Sequence, residues 1–175
     1  LYSSGDCTMS SQLRVNELQN LSGSTAMTIG STGTISQPNK PAFHIRLQST
    51  SATDFTSGVT LAGSTYYQSS TLEEQGGSNF NVSNGRFVAP VTGFYFFHFG
   101  GRFDSFSGSY LYVTLEGSKQ IGRYLSSLQA TYLNPTVSGA CQLDANEYIN
   151  VVVTSNGDSS VSINSDSYFS GFMIG

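Results

Sequence analysis

Apolar positions along this chain recur at every second residue over short runs, and each run ends within a few residues at Gly, Asn, Ser or Pro. A period of two puts successive side chains on opposite faces of an extended strand. The runs that predict strands are 42–48 (AFHIRLQ), 86–90 (RFVAP), 93–103 (GFYFFHFGGRF), 109–117 (SYLYVTLEG), 119–125 (KQIGRYL), 137–144 (VSGACQLD), 147–155 (EYINVVVTS), 159–163 (SSVSI) and 168–175 (YFSGFMIG). Turn formers that tolerate positive φ stand between them, among them Asn84-Gly85, Glu116-Gly117, Asn156-Gly157 and the step Asp144-Ala145-Asn146. Many short strands at this spacing predict an all-β antiparallel sandwich. Only residues 10–21, SSQLRVNELQNL, offer a helical alternative of one or two turns.

One run departs from simple alternation. In 93–99, Phe94, Phe96 and His98 line one face while Tyr95, Phe97 and Phe99 line the other, so both faces are apolar. A strand on the outside of a sandwich has one polar face; this one has to be covered twice. One cover is the core of the domain. The other is either a loop of the same chain or a second chain.

Residues 1–40 have a different texture, with tiny alternating pieces (Leu13/Val15, Met27/Ile29, Thr34/Ile35) each followed by a Gly, Ser or Pro turn. Such pieces are too small to fold alone. They read as a loose linker or as short strands that become stable only when several chains wrap together.

Length and composition narrow the class. At 175 residues the chain holds one domain and a modest appendage. Charged residues are 10% of it, against about 25% in an ordinary soluble domain, which favours an extracellular or virion-surface β-protein. A net charge of −4 with scattered basic residues argues against nucleic acid, which needs a clustered positive patch. No apolar run nears the roughly 20 residues that span a bilayer, so no membrane insertion is expected. No secretory signal pattern opens the chain, and its first residue, Leu1, suggests a processed product or part of a longer chain. Cys7 and Cys141 are too few for a disulfide framework, and Cys141, in an apolar strand, reads as a small buried hydrophobe.

Catalytic chemistry finds no constellation. His44 and His98 both fall in apolar strands and read as structural; His98 could gather with its copies to hold an anion, metal or water only if it lay near a symmetry axis. No serine sits in a G-x-S-x-G elbow. Glu73-Glu74 reads as a solvated turn rather than a glycosidase pair. No cofactor or metal is expected, with calcium at Asp104, Asp158 or Asp166 as the one site worth testing.

From Pro41-Ala42-Phe43 onward the pattern resembles the C1q-like (C1q/TNF superfamily) domain. The residues that carry the likeness are Phe80, Gly85, Phe87, Pro90, Gly93, Tyr95 and Phe97, which fit an F-x-x-P-x-x-G-x-Y-x-F core, then QLDANEYINV at 142–151 and the closing FSGFMI. The resemblance implies a ten-stranded antiparallel jelly-roll over 41–175 that forms a homotrimer. It also implies that the second cover of strand 93–99 is another subunit, with Phe94, Phe96, His98, Phe169, Gly171 and Met173 facing a threefold axis and Phe43, Phe87, Tyr95, Phe97, Phe99, Phe172 and Ile174 in the core. The family's Gly-Asp turn is replaced by Ala145-Asn146-Glu147, which keeps a turn and drops one acidic side chain. No collagen-like repeat precedes the domain.

Residues 18–23 (LQNLSG) and 27–38 (MTIGSTGTISQP), running into Pro-Ala-Phe, look like the lead-in to C1q-like tips of bacteriophage tail or head fibres, particularly marine ones. The resemblance implies a virion structural protein: 1–40 anchors it to other virion proteins, and the knob faces a host glycan or protein. Candidate receptor contacts are Tyr66, Tyr67, Phe106 and Tyr132, aromatics in polar surroundings. The alternative is a secreted C1q-like binding module unconnected with a virus.

Overall fold

The computed structural model describes residues 15–50, 53–157 and 161–175. They fall into two compact units, one ending at Asn39 and one running Lys40–Gly175.

The first unit is a three-stranded antiparallel meander of β1 (Glu17–Gln19), β2 (Thr25–Ile29) and β3 (Ile35–Ser36). The helical alternative therefore fails where it can be seen, since Glu17–Gln19 is a strand; residues 10–14 lie outside the described residues. The turn after β1 explains the choice. Asn20 Oδ1 accepts from the N–H groups of Ser22 and Ser24, and Gly23 takes φ +82°, which reverses the chain at once. Leu18 pairs with Met27 and Ile29 with Ile35, yet Leu18 and Ile35 remain exposed.

The second unit is built from β4 (Ala42–Arg46), β5 (Val59–Thr60), β6 (Glu73–Gln75), β7 (Phe80–Asn81), β8 (Arg86–Val88), β9 (Gly93–Gly100), β10 (Phe103–Phe106), β11 (Tyr110–Gly117), β12 (Gly122–Ser126), β13 (Ala130–Leu133), β14 (Thr136–Leu143), β15 (Tyr148–Asn156), β16 (Ser162–Ile163) and β17 (Tyr168–Met173), with one 3-10 turn at Ser69–Thr71. Two principal antiparallel sheets make a jelly-roll sandwich. One has the order β14-β9-β17-β4-β6; the other has β12-β11-β15-β8-β7, with β5 also on β15. A small sheet, β13-β10-β16, closes one end. It forms because the expected single strand 93–103 is interrupted between β9 and β10; at Gly101, within that interruption, a side chain would strike the rings of Phe99 and Phe103. The chain then leaves β9 and pairs elsewhere as β10.

The core between the sheets is aromatic. Phe43 stacks on Phe80 (ring centroids 4.9 Å apart) and Phe87 (5.2 Å), and meets Phe169 edge-on at 5.0 Å. Tyr95, Phe97 and Phe99 enter from β9, and Val151 and Val153 from β15, all fully buried. Gly85 shows how tightly this is built: it has φ +68°, and a Cβ there would collide with the backbone carbonyl of Leu61.

Candidate functional site

The five-stranded sheet turns one face to the core and the other outward, and strand register decides which residues share the outer face. Phe96 stands opposite Ala140 on β14 and Phe172 on β17, and Phe172 opposite Ala42 on β4. This row is apolar across four strands. Phe94 (46% exposed) and Ile174 (47%) extend it toward the chain end, where Ile174 N–H donates to Phe94 O. The neighbouring row is polar: Ser138, His98, Ser170, His44 and Glu73 follow one another across the same strands.

Tyr168 sits beside that polar row. Its hydroxyl lies 2.9 Å from His98 Nε2, and its ring is 5.4 Å from that of His98 and 5.7 Å from that of His44. His98 is thus hydrogen-bonded and half-buried rather than free. A shallow groove of about 360 Å³ runs along the β4, β6 and β17 side of the face, lined by Ala42, His44, Glu73, Gln75 and Phe172 among others. Beside it a second hollow of about 290 Å³ reaches Lys40 and Ile174.

Phe94, Phe96 and His98 share the outer face, as the resemblance implies, but the expectation for β17 is reversed. Phe169 pairs with Phe99 and is fully buried, and Gly171 points into the core, where a Cβ would meet the rings of Phe97 and Phe43. Met173 stands opposite Tyr95 and packs half-buried against the core. Conversely, Phe172 (48% exposed) and Ile174, expected inside, lie on the outer face. The reason is parity: Phe169 and Phe172 are three residues apart and cannot share a face of one strand, and the crowded rings behind β17 admit only a glycine at 171. Phe43, Phe87, Tyr95, Phe97 and Phe99 are all core residues.

The four candidate contact residues do not form one surface. Tyr67 and Phe106 are buried, which removes them; the Tyr67 hydroxyl has no partner, and burial raises its pKa strongly. Tyr66 is half-buried, and Tyr132 is exposed with the Arg102 guanidinium 4.7 Å from its ring centroid.

Arg102 also accounts for two of the three carboxylates considered for calcium. Its Nε donates to Asp104 Oδ1 at 3.0 Å, and its Nη1 lies 3.4 Å from Asp166 Oδ2. A guanidinium therefore occupies the space between them; Asp158 lies outside the described residues. Among the described residues no group of three or more His, Cys, Asp or Glu side chains could hold a metal ion, and no helix is long and apolar enough to cross a membrane. Cys141 is a free thiol, half-buried against the core.

The turn before β15 keeps an acidic group, which Glu147 supplies. Asn146 adopts φ +73°, and the Glu147 carboxylate accepts the Asp144 N–H at 2.8 Å and lies 3.2 Å from Lys119 Nζ. Its pKa is held below the usual carboxylate value, first by that backbone N–H and then by Lys119.

Residues 56–174 match the model of the C1q domain. The chain belongs to the C1q family. Within the domain, β4 precedes the matched span yet completes the five-stranded sheet. Among solved structures, the C1q fold of this chain is similar to the globular domain of zebrafish complement 1qA protein, at 17% identity and a TM-score of 0.51 over 78% of this chain and 98% of that one. It is also similar to murine APRIL, at 14% identity and a TM-score of 0.53 over 77% of this chain and 99% of that one. At such identities the likeness speaks for the fold. A search of curated proteins finds no match to this C1q chain.

Proposed function

We propose that this chain is a virion structural protein, the homotrimeric tip of a phage fibre or spike, which meets a host glycan or protein outside the cell without catalysing a reaction. One observation carries the trimer: the outer face of the five-stranded sheet is apolar from Phe94 through Phe96 and Phe172 to Ile174, although its inner face already covers the core. Each phenylalanine removed from water contributes about 2 kcal/mol, repeated at every copy. A threefold ring lets the Phe96/Phe172 row of one chain enter the groove beside β4 and β6 of the next, so all copies are covered alike and the ring closes.

Support for the virion role is the lead-in. It is a three-stranded sheet whose apolar residues Leu18, Leu21 and Ile35 face solvent, too small to be stable without further partners. As an anchor it becomes covered by its copies or by other virion proteins.

Limited proteolysis tests the reading. Residues 15–36 should be protected in particles or full-length assemblies and cut quickly after dissociation, while the domain from Pro41 stays intact. Equal cutting in both states would remove the anchor and leave the secreted module as the function.

A further inference from the structure

The outer face of the six-stranded sheet carries a polar and aromatic feature of its own. There Tyr110 and Tyr112, both half-buried, project from β11 with ring centroids 4.6 Å apart. The Arg123 guanidinium, from β12, lies 4.9 Å from the centre of the Tyr112 ring. Leu125, exposed, pairs with Tyr112 on one side, and Thr154 and Asn156 pair with Tyr112 and Tyr110 on the other.

Arg123 stands out among the cations. Lys40 and Arg46 donate to backbone carbonyls, Arg102 to Asp104 and Asp166, and Lys119 to Glu147. Arg86 stacks on Tyr148 at 4.0 Å with its Nε buried. Among the described residues, Arg123 is the exposed cation whose head group meets neither a carboxylate nor a carbonyl. Its one fixed contact is an aromatic face, which leaves its N–H fork free for an anion.

We propose that this face binds an acidic saccharide, with its carboxylate on Arg123 and a sugar ring against the Tyr110/Tyr112 pair. Tyrosine offers an apolar ring to the C–H face of a sugar and a hydroxyl to its polar edge. Arg123 matches a carboxylate by charge and by its paired donors. Thr154 and Asn156 supply hydroxyl and amide groups at the rim. Glu116 shares this face of β11, two residues beyond Thr114, the cross-strand partner of Arg123, and is the acidic group nearest along the strand. The face holds too little apolar surface for a protein interface, with Leu125 as its one exposed aliphatic on β11 or β12. The inference rests on the preceding reading for one point, that assembly covers the five-stranded sheet and leaves this face open.

The test is calorimetric titration of the full chain with tetragalacturonate, maltotetraose and tetraglutamate. Tetragalacturonate should bind, more weakly as salt rises, and maltotetraose and tetraglutamate about tenfold less well or not at all. Tyr112→Ala and Arg123→Gln should each weaken it about tenfold, with the mass by light scattering equal to that of the parent. Absence of tetragalacturonate binding, equal binding of tetraglutamate, or affinity kept in both variants would overturn the site. A monomeric parent that still showed the tetragalacturonate pattern would contradict the trimer and uphold the saccharide site.

Discussion

Phe96 and Phe172 stand opposite each other across β9 and β17, ring centroids 5.5 Å apart, on the outer side of a sheet whose inner side is already full. Together they form an apolar row with nothing from the same sheet above it, and the assembly proposed here follows from that row.

Two phenylalanines of β17 should therefore behave in opposite ways. Phe172→Asp places a carboxylate from each copy in the contact and should give a folded chain of monomer mass with a melting curve close to that of a dissociated parent. Phe169→Ala empties a fully buried site and should cost about 3–5 kcal/mol of folding stability whatever the assembly. Light scattering and thermal denaturation separate them; an assembled Phe172→Asp variant would show that the face is not the contact.

Gly85 and Gly63 share a positive φ but not their surroundings. A Cβ at Gly85 meets the Leu61 carbonyl, whereas at Gly63 it meets nothing within 4 Å. Gly63→Ala should cost about 1 kcal/mol from backbone strain alone, and Gly85→Ala distinctly more, by urea denaturation. Equal losses would mean that the loop around Leu61 yields freely.

Arg102 holds Asp104 and Asp166 together as an internal counter-ion. Calcium or a chelator should leave the melting temperature of the parent unchanged. In Arg102→Gln, the two carboxylates face each other without it, so calcium should raise the melting temperature of that variant. A calcium response in the parent would show that an ion, and not the arginine, closes this end.

The lowered pKa of Glu147 makes its contribution to stability dependent on pH. A carboxylate whose folded value lies below its unfolded value stabilises the fold above the unfolded value and loses that effect as pH falls through the folded one. Glu147→Gln should lower the urea midpoint at pH 7, and the difference from the parent should shrink toward pH 3. A difference independent of pH would assign the effect to packing.

Much of the fold was legible because alternation needs only neighbours in sequence: Tyr95, Phe97 and Phe99 share one face of β9 and Phe94, Phe96 and His98 the other, as the period of two requires, while the resemblance to the C1q-like domain implied which of the two faces is buried. The parity of β17 was not legible. YFSGFMI has an apolar residue on each face, and the choice between them rests on the rings of Phe97 and Phe43 behind Gly171, which come from strands far away in the chain. Tyr67 was misread for a similar reason: TYYQ looks like a polar loop, but the backbone returns there to bond with β4, and that turns Tyr67 under Phe80. The Tyr110/Tyr112/Arg123 platform needed the β11–β12 register, although its tyrosines at i and i+2 were visible in SYLYVTLEG. The small strands of the first unit were suggested by their alternating pieces and Gly turns, while Leu13 lies outside the described residues.

The most direct test of the central claim is the mass of the purified chain in solution, by native mass spectrometry or light scattering, beside that of Phe96→Asp. The parent should show three times the 18.7 kDa of one chain and the variant the mass of a single chain. A parent that stays monomeric at micromolar concentration, with Phe94, Phe96 and Phe172 open to water, would contradict it.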